Sequence, residues 1–293
     1  LIIIYHMDDN NTERVNVREL DFNESVKTYV NKVKPVVYIL TPCFGGLCYV
    51  NYVNCLLLTK ELFNKFDIEL HTLFCKGDSL VSRARNNLVA KAMNDEKMTH
   101  IMFIDNDITW DPIDIIKLLL AEKSLVGGIY PLKTYNFNKI VPTDTNPNPI
   151  ENFLKSSQFI DAETPATDII QMRMLKYNVN HISNEVKIVK NLTQVRHIAT
   201  GFMMIQRNVI EELSNAYPET KYTDDISYLT EEENKYAYAL FDCGVVDNHY
   251  LSEDWMFCTR WTKQKNDIWI DITINLTHTG THDFKGCFIS TLM

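Results

Sequence analysis

His100-Ile101-Met102-Phe103-Ile104-Asp105-Asn106-Asp107 is the stretch on which the fold turns. Four successive apolar residues leave no polar face, so the strand is buried on both sides, as in parallel sheets covered by helices. The elements around it continue the pattern. Residues 36–41 read as a buried strand ending at Pro42, 50–66 as a helix, 68–74 as a second strand and 80–93 as another helix. After the central run, Asp111-Pro112 joins a capping acid to a Pro at the first helical position, opening a helix over 113–121. A strand follows over 124–129. Strands alternating with helices predict an α/β protein with a central, mostly parallel mixed sheet flanked by helices.

Beyond residue 133 the periodicity weakens. Residues 134–167, rich in Pro and Asn, read as a long loop with short helical pieces, a kind of segment that usually serves function or moves. Strands are expected near 186–189 and over 196–206, with a helix over 208–216 and a second polar loop over 218–234. A helix over 253–264 and a strand over 268–271 complete the list. Nothing repeats at solenoid spacing.

Composition removes several functions. The 38 acidic residues outnumber the 29 basic ones, for a net charge of −9, so no nucleic-acid partner is expected: phosphate backbones are bound by clustered Lys and Arg. No apolar run approaches the roughly 20 residues of a membrane span. The opening residues lack the basic start and small-residue cleavage site of a signal peptide. Seven scattered cysteines with no C-x-x-C pair read as reduced thiols in a cytosol-like compartment, without a zinc site. The Asn-x-Ser/Thr triplets at Asn10, Asn23, Asn191 and Asn275 are then fortuitous.

Four groups of residues carry chemistry. Asp105 and Asp107, with Asn106 between them, sit at the C-terminal end of an apolar strand, where open α/β sheets bind ligands. Two carboxylates this close repel unless a cation or proton compensates, and oxygen donors suit Mg²⁺ or Mn²⁺ shared with substrate phosphates. Alone, the same pair could be a solvated strand-end turn. Gly77-Asp78-Ser79-Leu80-Val81-Ser82-Arg83-Ala84-Arg85 enters a helix with two Arg in its first turns. Cations there oppose the helix dipole, so they call for an anionic ligand or for pairing acids. Ser252-Glu253-Asp254-Trp255 forms a good helix start, and a carboxylate there can also serve as a general base. Finally, His278 and Lys285 in the tail supply an imidazole for a metal and a cation for a diphosphate leaving group.

Taken in order, Ser82-Arg-Ala-Arg-Asn-Asn-Leu-Val-Ala90, Thr99-His-Ile-Met-Phe-Ile-Asp-Asn-Asp-Ile-Thr-Trp-Asp-Pro112 and Val126-Gly-Gly-Ile-Tyr-Pro-Leu-Lys133 resemble GT-A-fold glycosyltransferases. Ala199-Thr-Gly201-Phe-Met-Met and Ser252-Glu-Asp254-x-x-Phe-Cys-x-Arg-Trp261 extend the likeness. Nearest in style are enzymes of bacteriophages and giant DNA viruses. The resemblance covers roughly residues 36–285. It implies a GT-A (Rossmann-like) domain over 34–293, with a nucleotide-sugar half at 34–133 and an acceptor half at 134–293. Residues 1–33 are left as an N-terminal extension. It also implies Mn²⁺ or Mg²⁺ on Asp105, Asp107 and His278. Thr41, Pro42, Arg83, Arg85, Asn106 and Lys285 would lie around the nucleotide, and Gly201, Phe202 and Trp255 around the sugar or acceptor. Asp254, beside Glu253, would be the base.

The implied reaction moves a sugar from a nucleoside-diphosphate sugar, a UDP-sugar first, to a hydroxyl of a glycan or protein, with inversion favoured over retention. The compartment would be cytoplasmic: host cytoplasm, or virion if the protein is viral. Three alternatives stand beside it. Asp105-Asn-Asp107-Ile-Thr109 also fits the D-x-D-x-T of haloacid-dehalogenase-type phosphohydrolases, with Asp105 as nucleophile and Asp107 as acid/base. A non-catalytic sugar-nucleotide-binding module and a metal-dependent nucleotidyltransferase are the others.

Overall fold

The computed structural model describes residues 2–5, 14–155, 163–183 and 185–292. Leu1, the triplet at Asn10 and part of the expected loop, 156–162, lie outside the described residues.

A short strand β1 (Ile2–Tyr5) and a helix α1 (Arg14–Val33) come first. Then follow β2 (Val36–Cys43), α2 (Val50–Lys65), β3 (Glu69–Lys76), α3 (Val81–Met93) and β4 (His100–Ile104), close to the expected boundaries. After β5 (Ile108–Thr109), α4 (Pro112–Leu120) starts as its sequence requires: the Asp111 carboxylate accepts the Ile113 N–H at 2.9 Å, and Pro112 has no N–H to leave unpaired. β6 (Leu125–Gly127) is shorter than expected.

The stretch expected as a loop, 134–167, contains regular elements among its described residues. It holds the end of β7 (Pro131–Tyr135), α5 (Pro149–Lys155) and the start of α6 (Ala166–Met174). β8 (Leu175–Tyr177), β9 (Val179–His181) and β10 (Glu185–Ile188) follow. The single strand expected over 196–206 is two, β11 (Leu192–Ile198) and β12 (Phe202–Gln206), broken at Ala199-Thr200-Gly201. Two other strands separate them in the sheet, so the chain has to leave one position and enter another there. The remainder comprises α7 (Arg207–Ala216), α8 (Glu231–Asn234), β13 (Gly244–Val246), β14 (His249–Leu251), α9 (Glu253–Lys263), β15 (Ile268–Asp271), β16 (Thr277–Thr279) and β17 (Asp283–Lys285).

The main sheet has eight strands in the order β3-β2-β4-β12-β6-β15-β11-β9. β2 is parallel to β3 and β4, and β6 to β15. β12 runs against both of its neighbours, β4 and β6, and β11 against β15 and β9. All strands except β12 and β11 therefore point one way, the mostly parallel mixed sheet that βαβ units predict.

Alternation along the strands sorts the core into two layers. Ile101 and Phe103 of β4, with Met203 and Ile205 of β12, face Leu88, Val209 and Trp261 of α3, α7 and α9. Met102, Ile104, Phe202 and Met204 face Tyr52 and Phe63 of α2 and Ile115 and Leu119 of α4. Val26 and Tyr29 of α1 are buried in this second layer. The C-terminal part of α1, in the stretch expected as an N-terminal extension, thus packs on the second layer. Its residues Phe22, Val26, Tyr29 and Val33 recur at helical spacing along the packed face. Among the described residues no helix is long and apolar enough to cross a membrane.

Candidate active site

The connections leaving the parallel strands β2, β3 and β4 run toward α2, α3 and α4 and gather at the C-terminal ends of these strands, the usual ligand position of open α/β sheets. A cavity of about 330 Å³ lies there. Pro42 at the end of β2 and Leu47 after it, Asp78 and Ser79 after β3, and Asp105 and Asp107 after β4 line it, together with Asn106 and Arg85. Five residues expected at the site from sequence thus share one cavity.

Arg85 organises its floor. The side chain is only 4% exposed and faces inward from the first turns of α3. Nη2 donates to Asp105 Oδ1 at 2.9 Å and Nε to Glu253 Oε1 at 3.3 Å, while the guanidinium carbon sits 5.3 Å from the Phe103 ring centre. Burial works against its charge, but the two carboxylates outweigh burial and hold the proton more tightly than usual. Nη1 is buried and has no hydrogen-bond partner among the described residues.

Asp107 faces a second group. β16 pairs with β5 and places His278 opposite Ile108. The His278 Nδ1 lies 2.8 Å from the Pro131 carbonyl, which can only accept, so Nδ1 carries a proton. In the neutral ring Nε2 then presents a lone pair, 3.4 Å from Asp107 Oδ2. Lys133 Nζ donates to the same oxygen at 2.6 Å. Burial alone would raise the Asp107 carboxyl, yet His278 in its protonated form and Lys133 outweigh it and hold the group below the usual carboxylate range. Gly280 leaves room for the Lys133 stem: a Cβ there would stand 3.1 Å from Lys133 Cδ.

Asp107 and His278 form a donor pair that Mn²⁺ or Mg²⁺ accepts when phosphate oxygens and water fill the remaining positions. A carbonyl fixing the far ring nitrogen is the usual support of a ligating histidine. Among the described residues no three His, Cys, Asp or Glu side chains converge on one point, and Asp105 is engaged by Arg85 instead. The donor set fits a cation that substrate would help to hold.

The start of α9 reaches the site through Arg85. Glu253 joins through Arg85, and Asp254 follows it, buried to 8% exposure. Asp254 Oδ1 accepts from the Ser252 hydroxyl and, at 2.8 Å, from the Trp255 N–H, leaving Oδ2 without a hydrogen bond among the described residues. Burial, aided by Glu253, raises its proton affinity above that of an ordinary carboxylate. Gly201 abuts Asp105, its carbonyl accepting the Asp105 N–H at 3.1 Å. A Cβ on Gly201 would stand 2.6 Å from the Tyr130 ring, which in turn packs edge-on against His278 at 5.1 Å.

Other expected residues lie elsewhere. Thr41 is fully buried, its hydroxyl bonded to that of Tyr52, and Phe202 is fully buried against Trp110 in the core. Strand alternation turns both away from the crevice. Arg83 spans Asp78 with two hydrogen bonds, Nε to Oδ2 at 2.9 Å and Nη2 to Oδ1 at 2.8 Å, the acid-pairing alternative for that residue. Trp255 stacks on His197 at 4.8 Å. Lys285 is exposed, and its side chain makes no ion pair or hydrogen bond among the described residues. Asn106 Nδ2 donates to the Leu47 carbonyl at 2.6 Å and so pins the loop over the cavity. Lys133 was missed, although it ends a quoted motif, because its meeting with Asp107 depends on how β7 and β16 pack.

The fold and site together define an α/β protein with a charged ligand crevice at the C-terminal edge of its sheet. Comparison with known proteins gives no matching family and no matching curated sequence. Among solved structures, the crystal structure of A197 from STIV is similar, with a TM-score of 0.43 and 14% identity over 84% of this chain and 86% of that one.

Proposed function

We propose that the chain is a metal-dependent glycosyltransferase that moves a sugar from a nucleoside-diphosphate sugar to a hydroxyl of a glycan or protein. One observation carries this reading: Asp107 Oδ2 and His278 Nε2 lie 3.4 Å apart at the ligand edge of the sheet, two donor atoms for a cation when the ring is neutral. Mn²⁺ or Mg²⁺ bound by them would stabilise the departing diphosphate as a Lewis acid.

The chain's own residues supply the rest. Arg85 offers the unpaired Nη1 to an anionic oxygen while Asp105 and Glu253 hold its plane fixed. Lys133 neutralises Asp107 in the ligand-free site and can turn its charge to a phosphate. Asp254, with raised proton affinity and a free Oδ2, takes the proton of the attacking hydroxyl, which suits an inverting displacement. The loop pinned by Asn106 walls one side of the cavity.

The test is thermal stabilisation by uridine, guanosine, cytidine and thymidine nucleotides and their sugar conjugates, with Mn²⁺ or with chelator, on wild type and Asp107→Asn. At a ligand concentration a hundred times Kd the expected gain is about 2.7 kcal/mol, dependent on metal and lost in the variant. Hydrolysis of a generic phosphate ester without nucleotide binding would replace this reading with the phosphohydrolase. Binding without transfer to any acceptor would leave a sugar-nucleotide-binding module.

A further inference from the structure

Cys43 and Cys48 stand at the two ends of the loop Phe44-Gly45-Gly46-Leu47, and Phe44, Gly45 and Leu47 line the cavity. Both are free thiols, with their Sγ atoms 3.5 Å apart. The chain between them is already folded back. Gly46 N–H donates to the Cys43 carbonyl at 2.9 Å, and the Leu47 carbonyl is tied to Asn106. Cys43 is buried at the end of β2 and Cys48 is half-buried, so a reagent from solvent meets Cys48 first.

We propose that Cys43 and Cys48 form a reversible disulfide site, closed by a small-molecule disulfide such as oxidised glutathione, and that closure stiffens the loop walling the cavity. In the first step the Cys48 thiolate attacks the oxidant, giving a mixed disulfide and releasing one glutathione thiolate. In the second, the Cys43 thiol gives up its proton to solvent and its sulfur displaces the second glutathione, making the internal bond. Two protein thiols are oxidised, one glutathione disulfide is reduced to two thiols, and excess reduced glutathione reverses the exchange. Burial pushes the Cys43 thiol up to about 12, which makes the second step the slow one. The sulfurs must close to about 2 Å, so the ends of the loop draw together and Phe44 and Leu47 lose freedom. Any effect on ligand binding rests on the function proposed above.

The full chain treated with oxidised glutathione, digested without reduction, tests this together with amide hydrogen exchange over residues 44–49. Expected is a peptide holding both cysteines with a mass lower by two hydrogens, restored by reduced glutathione, and slower exchange over the loop. Both signals should persist in Cys243→Ser and vanish in Cys48→Ser. A stable glutathione adduct on Cys48 with no internal bond would overturn the disulfide site. An internal bond with unchanged exchange would overturn the stiffening. Nucleotide stabilisation measured on both redox forms is a separate readout: none in either form removes the transferase reading and leaves the thiol result standing.

Discussion

Removing the Arg85 side chain leaves Asp105 and Glu253 half-buried without their shared cation. Breaking a buried pair from one side costs about 3–5 kcal/mol, so Arg85→Ala should lower stability to urea by that order. A loss under 1 kcal/mol would mean that water replaces the guanidinium and that the network is not structural. Asp107 gives a pH signature. Its native carboxyl titrates below the ordinary value, so its contribution to stability is present above the ordinary carboxylate range and disappears as pH falls through the native value. The difference in Tm between wild type and Asp107→Asn should be level above pH ~5 and shrink below pH ~4. A difference that stays level down to the lowest pH would contradict the Lys133 and His278 contacts. At this scale the sequence announces residue types better than directions. Asp105, Asp107 and Arg85 are legible because charge at a strand end or helix start is unusual. Thr41 and Phe202 lie in the core, off the cavity, because a one-residue step along a strand reverses the side chain.

Elements join these residues, and the turn before β12 joins the most. Gly201 accepts from Asp105, touches Tyr130 and thereby supports His278. Gly201→Ala should cost about 1–3 kcal/mol by overpacking and weaken metal-dependent nucleotide stabilisation beyond that cost. Thermal melts with and without ligand separate the two effects, and an unchanged ligand shift would detach Tyr130 from the site. Within the strand expected over 196–206, Gly201 is the one local sign of the break at Ala199-Thr200-Gly201, and the distant partners β4, β6 and β15 divide the two strands. Asn86 shows a similar limit. Beside Arg85 it looks like part of a ligand motif, but its amide exchanges two hydrogen bonds with Phe241 and anchors the segment after α8.

For the whole molecule, burial of histidines sets the acid limit. Desolvation lowers His100 and His197 from 6.5 to about 4. Their contribution to stability is complete above pH 6.5 and is lost as pH falls toward 4, because the unfolded chain takes up protons first. In proton NMR the His100 ring signals should stay in the neutral position down to pH ~4; a midpoint near 6.5 would show the ring to be hydrated. Tyr29 of α1 bonds the His100 ring at 3.3 Å, so a chain lacking residues 1–33 should titrate His100 at higher pH and melt earlier. The layered α/β architecture was readable from the alternation of strands and helices alone.

The reversed strand β12 sets a timetable for synthesis. On the ribosome β2, β3, β4 and β6 emerge early, but β4 and β6 are not neighbours, and the slot between them stays vacant until residues 202–206 arrive. Until then the nascent sheet shows two bare edges, and Asp105 lacks the carbonyl that holds its backbone. Contacts this distant in sequence form slowly. The charged crevice is therefore assembled last, so a truncated or half-made chain carries the acids of the site without its shape.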